Sequence, residues 1–148
     1  MIQPWIAQLR TPFPGVTTEN CLPTSPCDVR YNCIAWAAED SERWWWPDAN
    51  RQYYWPAGIP REETMEAFER AYGMLGYNER CDTSLEPGKC KVAIYADANR
   101  KPTHAARQLP SGWWASKLGT AIDIHHELSA LEGPAYGKVV IVLARPIH

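Results

Sequence analysis

The hydrophobic pattern changes character several times along the chain. Residues 1–30 are rich in Pro, Thr and Asn and show little periodicity. They predict an irregular N-terminal arm with one short helix over Pro4–Leu9, docked by Trp5, Ile6 and Leu9. Tyr31-Asn32-Cys33-Ile34-Ala35-Trp36-Ala37 then opens an apolar run of helical character. It predicts a helix over Asn32–Asp40 with Asn32 as its N-cap. Trp44-Trp45-Trp46-Pro47 and Tyr53-Tyr54-Trp55-Pro56 follow, and their prolines exclude a continuous helix or a central strand. Pro60–Leu75 carries the clearest helical stripe, with Met65, Phe68, Tyr72 and Leu75 on one face. Pro60 suits its first turn, Glu62 and Glu63 its positive end, and Gly76 its stop.

After a turn-rich link over Asn78–Lys89 the pattern becomes that of strands. Cys90–Tyr95, Thr103–Leu109 and Trp113–Leu118, with Pro110-Ser111-Gly112 as a tight turn, predict an antiparallel meander. Ile124, Leu128 and Leu131 fall at helical spacing before Gly133, predicting a short helix over Ile122–Leu131 with Asp123 near its start. Lys138–Leu143 is a continuous apolar run and reads as a buried strand. Helices early and strands late predict the α+β class, with N-terminal helices packed on one side of an antiparallel sheet.

Composition narrows this reading. A chain of 148 residues predicts a single domain over 1–148, able to bury about 70% of its unfolded surface. A net charge of −2 argues against general attraction to nucleic acid or anionic lipid, so neither is an expected partner. No apolar run reaches the ~18 residues of a membrane span. Met1-Ile2-Gln3-Pro4-Trp5 lacks a basic segment followed by an apolar one, so a cytoplasmic location is expected, with signal-independent export left open. Eight tryptophans and thirteen prolines point to a loop-rich fold with aromatic anchors rather than a helical bundle.

The cysteines stand at 21, 27, 33, 81 and 90. In a reducing compartment they need not pair. Local pairing of Cys21 with Cys27 and of Cys81 with Cys90 would leave Cys33 over. There is no Cys-x-x-Cys, and the spacing is not that of a zinc site, so no metal and no cofactor is expected.

Cys33 is the candidate nucleophile. In a first helical turn, unpaired N–H groups and the helix dipole favour its thiolate. The competing reading is a small core residue, since free cysteine is among the most buried types. His104, in Thr103-His104-Ala105-Ala106-Arg107, is the candidate base, on a strand whose small neighbours leave room for a substrate. Its orienting partner is open. Strand adjacency favours Ser116, carboxylate chemistry favours Asp123, and Glu132 is a further candidate. For Asp123 the competing role is a helix N-cap. Tyr31 and Asn32, with the Cys33 amide, are candidates for an oxyanion pocket. Trp45, Trp55 and Arg107 are candidates for a substrate-binding wall, against the alternative that the aromatic loop covers the core. Lys117 reads as a solvated lysine. A metal held by His104 with His125 and His126 is disfavoured, because neighbours on a helix point about 100° apart.

A cysteine opening a helix, then a meander with a histidine on a middle strand, resembles the order in NlpC-type and CHAP-type papain-like cysteine hydrolases. Asn-Cys-Ile-Ala-Trp-Ala is similar to the CHAP nucleophile helix, and Thr-His-Ala-Ala-Arg to its histidine strand. The resemblance implies a papain-like fold, with Cys33 attacking an amide carbonyl, His104 shuttling the proton and a polar residue, here Ser116, on the next strand. Residues 30–145 also resemble a bacterial domain family sharing these motifs with Ser-Lys-Leu-Gly and Leu-Glu-Gly…Tyr-Gly. The expected function is therefore a thiol-dependent hydrolase or acyltransferase of peptidase or amidase type, acting on a peptide or other amide-containing substrate. The alternative is a non-catalytic module that binds a protein partner through its aromatic loop. A metal-dependent enzyme using His104 is a third, weaker expectation.

Overall fold

The computed structural model describes residues 9–25, 30–118 and 123–147. Its frame is one seven-stranded sheet: β1 (Cys21–Ser25), β2 (Glu79–Arg80), β3 (Lys89–Ala96), β4 (Pro102–Gln108), β5 (Trp114–Lys117), β6 (Asp123–His126) and β7 (Lys138–Pro146). The strand order is β1-β6-β5-β4-β3-β7-β2, and every pairing is antiparallel. Among the described residues, the α-helices α1 (Cys33–Ala37) and α2 (Met65–Gly73) accompany it, with a 3-10 turn at Leu128–Leu131.

Strand periodicity sorts the core onto two faces. Val92, Ile94, Ala96, Ala105, Ile141 and Leu143 meet α1, α2 and the buried Trp45 and Trp55. Ala93, Tyr95, Ala106, Trp114, Ile124 and Val142 meet Leu9, Phe13, Val16, Ala130 and Leu131 on the other side. Because both faces are covered, Val92–Ala96 is buried without interruption, which is why this stretch alternates so weakly in sequence.

The expected α+β, papain-like arrangement does not form. The sheet dominates, and among the described residues only α2 exceeds two turns. One face is covered by two short helices and a long irregular aromatic segment, not by a layer of N-terminal helices. The physical reason lies in the helix stops. α1 ends at Ala37, with Glu39 in the left-handed region (φ 63°), and α2 starts only at Met65, behind the N-cap Thr64. Pro60 therefore stands before the helix rather than in its first turn.

Two further expectations are overturned. The N-terminal arm is not wholly irregular, because Cys21–Ser25 pairs with β6. Asp123–His126 is a strand rather than a helix start, and Ile124, Leu128 and Leu131 owe their helical spacing to a strand followed by a 3-10 turn. Of the predicted helix over Pro4–Leu9, all but Leu9 lies outside the described residues; Leu9 itself is helical.

Bulges shape the end of β3. Its register with β4 shifts between Tyr95 and Ala96, and its register with β7 shifts between Ile94 and Tyr95. The extra residue in β4 is Thr103, whose hydroxyl donates to the Tyr136 carbonyl at 2.6 Å. Gly137 follows at φ 78°, so close to β3 that a Cβ would fall 2.0 Å from the Ala96 carbonyl oxygen. Together these hold Tyr136 against the sheet beside His104.

Candidate functional site

Cys33 opens α1, and its position is set by Asn32. The Asn32 Oδ1 accepts from the Ala35 amide at 3.2 Å and the Trp45 amide at 3.0 Å, while its Nδ2 donates to the Trp45 carbonyl at 2.7 Å. Asn32 thus caps the helix and fastens the aromatic segment to it, so its side chain is not available to an oxyanion. Cys33 itself is buried, at 8% exposure. Burial pushes its thiol up to about 11, against opposing effects from the Ala105, Ile34 and Cys33 backbone N–H groups and from the charge of Lys117. Its sulfur thus sits against the Ala105 amide, one residue after His104 in β4.

His104 is fully buried. Tyr136 stacks on its ring at 4.1 Å and Tyr95 meets it edge-on at 5.3 Å. Its Nε2 lies 2.9 Å from Ser116 Oγ, which lies 2.7 Å from His126 Nε2, and His126 Nδ1 lies 2.8 Å from the Glu127 carbonyl oxygen. Burial, helped by the charge of His126 at His104 and of His125 at His126, holds both imidazoles neutral: His126 is down at about 4, against the raising effect of the Glu127 carbonyl, and His104 is well below its ordinary range.

With neutral rings this chain has one consistent set of protons. A carbonyl only accepts, so His126 Nδ1 carries its hydrogen and Nε2 is bare. Ser116 must then donate to His126 and accept from His104 Nε2–H. The His104 Nδ1 is left as a lone pair, buried and without a hydrogen-bond partner. The Glu127 carbonyl, His126 and Ser116 thereby leave one bare nitrogen on His104.

β4 and β5 pair only at Arg107 with Ala115 and Gln108 with Trp114. Beyond these pairs, His104 and Ser116 are linked through their side chains. α1 packs on both strands, on the face of Ala105.

Asp123 is placed elsewhere. It pairs with Lys117 across β5 and β6, with Nζ to Oδ1 at 3.9 Å, and accepts from the Tyr31 hydroxyl at 3.4 Å. Lys117 Nζ also lies over the Tyr31 ring at 5.0 Å. Asp123 is therefore neither a helix N-cap nor the partner of His104, and Tyr31 is committed to Asp123. Glu132 binds the Val139 amide at 3.0 Å. Lys117, expected in solvent, is wholly buried.

The aromatic segment turns inward. Trp45 donates from Nε1 to Asp40 and Trp55 to the Pro60 carbonyl, and both indoles are buried, so neither forms an open substrate wall. Arg107 stacks over Trp36 at 4.2 Å and borders a surface groove of about 560 Å³ with Leu85, Pro87, Cys90, Leu109 and Ile147.

His126 and Lys117 were the residues that sequence reasoning undervalued. The signal was present in the adjacent pairs Ser116-Lys117 and His125-His126: once both stretches are strands, alternation puts one member of each pair on each face. Among the described residues, no three His, Cys, Asp or Glu side chains are grouped so as to hold a metal ion. Cys21, Cys33, Cys81 and Cys90 are free thiols. Cys27 lies outside the described residues.

A family model, Domain of unknown function (DUF7689), matches residues 23–144. The chain belongs to the DUF7689 family. The matched span of this DUF7689 domain holds Cys33, His104, Ser116, Lys117, Asp123, His126 and Tyr136. No curated protein and no solved structure matches the chain. No helix among the described residues is long and apolar enough to cross a membrane.

Proposed function

We propose that this DUF7689 domain is a thiol-dependent acyl hydrolase or acyltransferase acting on an amide or ester, with a peptide or other amide-containing molecule as substrate. Cys33 is the nucleophile, His104 the base, and Ser116 with His126 orients the imidazole. The observation that carries this reading is the bare, buried and unpartnered Nδ1 of His104, held in that tautomer by Ser116, while the neighbouring Ala105 amide meets the Cys33 sulfur.

With the thiol pushed up and the imidazole pushed down, the proton rests on sulfur before reaction. As Sγ attacks the carbonyl carbon, its proton must pass around β4 to His104 Nδ1, because His104 faces the side of Tyr95 and Ser116 while Cys33 packs on the side of Ala105. The C–N or C–O bond then breaks, and the leaving group takes the proton from Nδ1. A thioester remains on Cys33. Water, or a second amine or hydroxyl, attacks it through the same base, and the proton returns to sulfur.

Activated acyl donors such as p-nitrophenyl esters test this directly. Peptide mapping after quenching should find the acyl group on Cys33, with His104→Gln cutting its formation at least tenfold. Acylation confined to the half-buried Cys81 and Cys90, with Cys33 unmodified, overturns the proposal.

A non-catalytic binding module is the second reading, favoured by the apolar groove beside Arg107. It predicts binding of a protein or peptide segment that survives Cys33→Ser and is blocked by a bulky maleimide on Cys90.

A further inference from the structure

We propose that Lys117 is a positioning residue for the Cys33 sulfur: its buried ammonium supports the negative charge that the sulfur acquires on reaction, while Asp123 and Tyr31 hold that ammonium in place. This rests on the thiol chemistry above and extends it to a residue on β5.

The argument starts from the two faces of β5. Ser116 faces the side of Ile124, its partner in β6, and reaches both histidines. Lys117, the next residue, must face the opposite side, the side of Ala105 and α1. There its Nζ stands over the ring of Tyr31, two residues before Cys33, and 3.9 Å from Asp123 Oδ1. The lysine is wholly buried, and a buried ammonium carries a large desolvation cost. The Asp123 carboxylate at 3.9 Å and the Tyr31 ring face offset part of that cost on the same side of the sheet as Cys33.

The chemistry requires a cation on this side. A buried thiolate without a counter-charge is strongly disfavoured. His104, on the far side of the Ala105 amide, is held neutral and takes up charge only when it takes up the proton. Cys33 acts on Tyr72 on α2 and Tyr136 before β7, but burial pushes both phenols up, so they stay neutral and supply no charge. Asp123 on β6 is negative and opposes a thiolate. Lys117 is the group whose charge draws the Cys33 thiol downward. The two residues of the pair should therefore move the thiol in opposite directions.

The pH dependence of Cys33 alkylation by iodoacetamide, read by peptide mapping on the full chain, tests this. Lys117→Met should raise the apparent pKa of Cys33 alkylation by about one unit, which is about a tenfold loss of rate below that pKa. Asp123→Asn should shift it the other way, and Lys117→Arg should stay close to the parent. Should Lys117→Met fail to fold, the Lys117→Met/Asp123→Asn pair, which removes both charges together, takes its place and is compared with Asp123→Asn alone. Unchanged profiles in these variants overturn the role of Lys117 while leaving acyl transfer at Cys33 intact. Opposite shifts without any acyl transfer to Cys33 would sink the hydrolase reading and retain Lys117 as the electrostatic partner of the sulfur. His104→Gln separates the two further, since it should depress acyl transfer with little movement of the alkylation pKa.

Discussion

His104 Nε2 and Ser116 Oγ, 2.9 Å apart on neighbouring strands, are joined across a stretch where β4 and β5 make no backbone ladder. Ser116 therefore does two jobs: it ties the strands together and it decides which nitrogen of His104 is basic. In Ser116→Ala, both histidine Nε2 atoms lose their partner inside the core. The cost should be about 1–3 kcal/mol for each buried group left unsatisfied. Nitrogen-15 spectra of the imidazoles should show the Nε2–H form of His104 in the parent and a mixture of tautomers in the variant. A single Nε2–H form in both would show that Ser116 does not select it.

The same chain makes the fold sensitive to acid. His126 is pushed down to about 4 by burial, and His104 moves in the same direction. The unfolded chain then binds more protons than the folded one once pH falls below the ordinary histidine value of ~6.5. Stability from these groups is complete above that value and is lost as pH falls toward about 4. For His126 alone the loss approaches about 3 kcal/mol at the bottom of the window. Urea midpoints measured between pH 7.5 and 4.5 should fall steadily, and His126→Asn should flatten the slope. A slope unaffected by removing His126 would assign the acid response to other groups.

Gly137 offers a test of how the His104 pocket is walled. Any side chain there meets the Ala96 carbonyl at 2.0 Å and must also adopt φ 78°. Gly137→Ala therefore forces the Tyr136–Gly137 turn away from β3, and Tyr136 is the ring stacked on His104. The expected result is a loss of several kcal/mol, about 1–2 from the left-handed backbone alone, together with a less protected His104. Hydrogen exchange at the Thr103 and His104 amides should rise. A variant with parental melting temperature and exchange would contradict the close approach.

Much of the frame was legible from the chain because strands of the meander carry turn residues between them. β3, β4, β5 and β7 fall within one to three residues of the expected bounds, and Asn32 caps a helix as its chemistry suggests. What escaped was decided by partners far away in sequence. Cys21–Ser25 is a strand only because β6 is there to receive it, and Asp123–His126 is one only because β1 and β5 flank it. The helical spacing of Ile124, Leu128 and Leu131 was a coincidence of two shorter elements. At the site, the link between His104 and Ser116 was legible from strand adjacency, but the places of Asp123 and Lys117 were not. Their burial depends on a strand assignment that local pattern opposed. The tryptophans misled for a different reason: Trp45 and Trp55 have buried partners for their indole N–H groups, and nothing local announces that.

Asn32 links the aromatic segment to the helical turn that carries Cys33, so its replacement should be felt at both. Asn32→Ala removes an N-cap, worth about 1 kcal/mol, and orphans the Trp45 amide and carbonyl, at about 1–3 kcal/mol for each buried group. Asn32→Asp separates these effects, because a carboxylate still accepts from Ala35 and Trp45 but cannot donate to the Trp45 carbonyl, 2.7 Å from the present Nδ2. It should be intermediate in stability at neutral pH. It should recover toward the parent as acid protonates the new carboxyl, which then becomes a donor. Trp45 should become more accessible to acrylamide quenching in Asn32→Ala. Cys33 should alkylate faster, because the first turn that holds its sulfur against the Ala105 amide is no longer anchored. Faster alkylation without any change at Trp45 would mean that the cap alone positions the thiol. A change at Trp45 with an unchanged thiol would mean that β4 holds Cys33 without help from the aromatic segment.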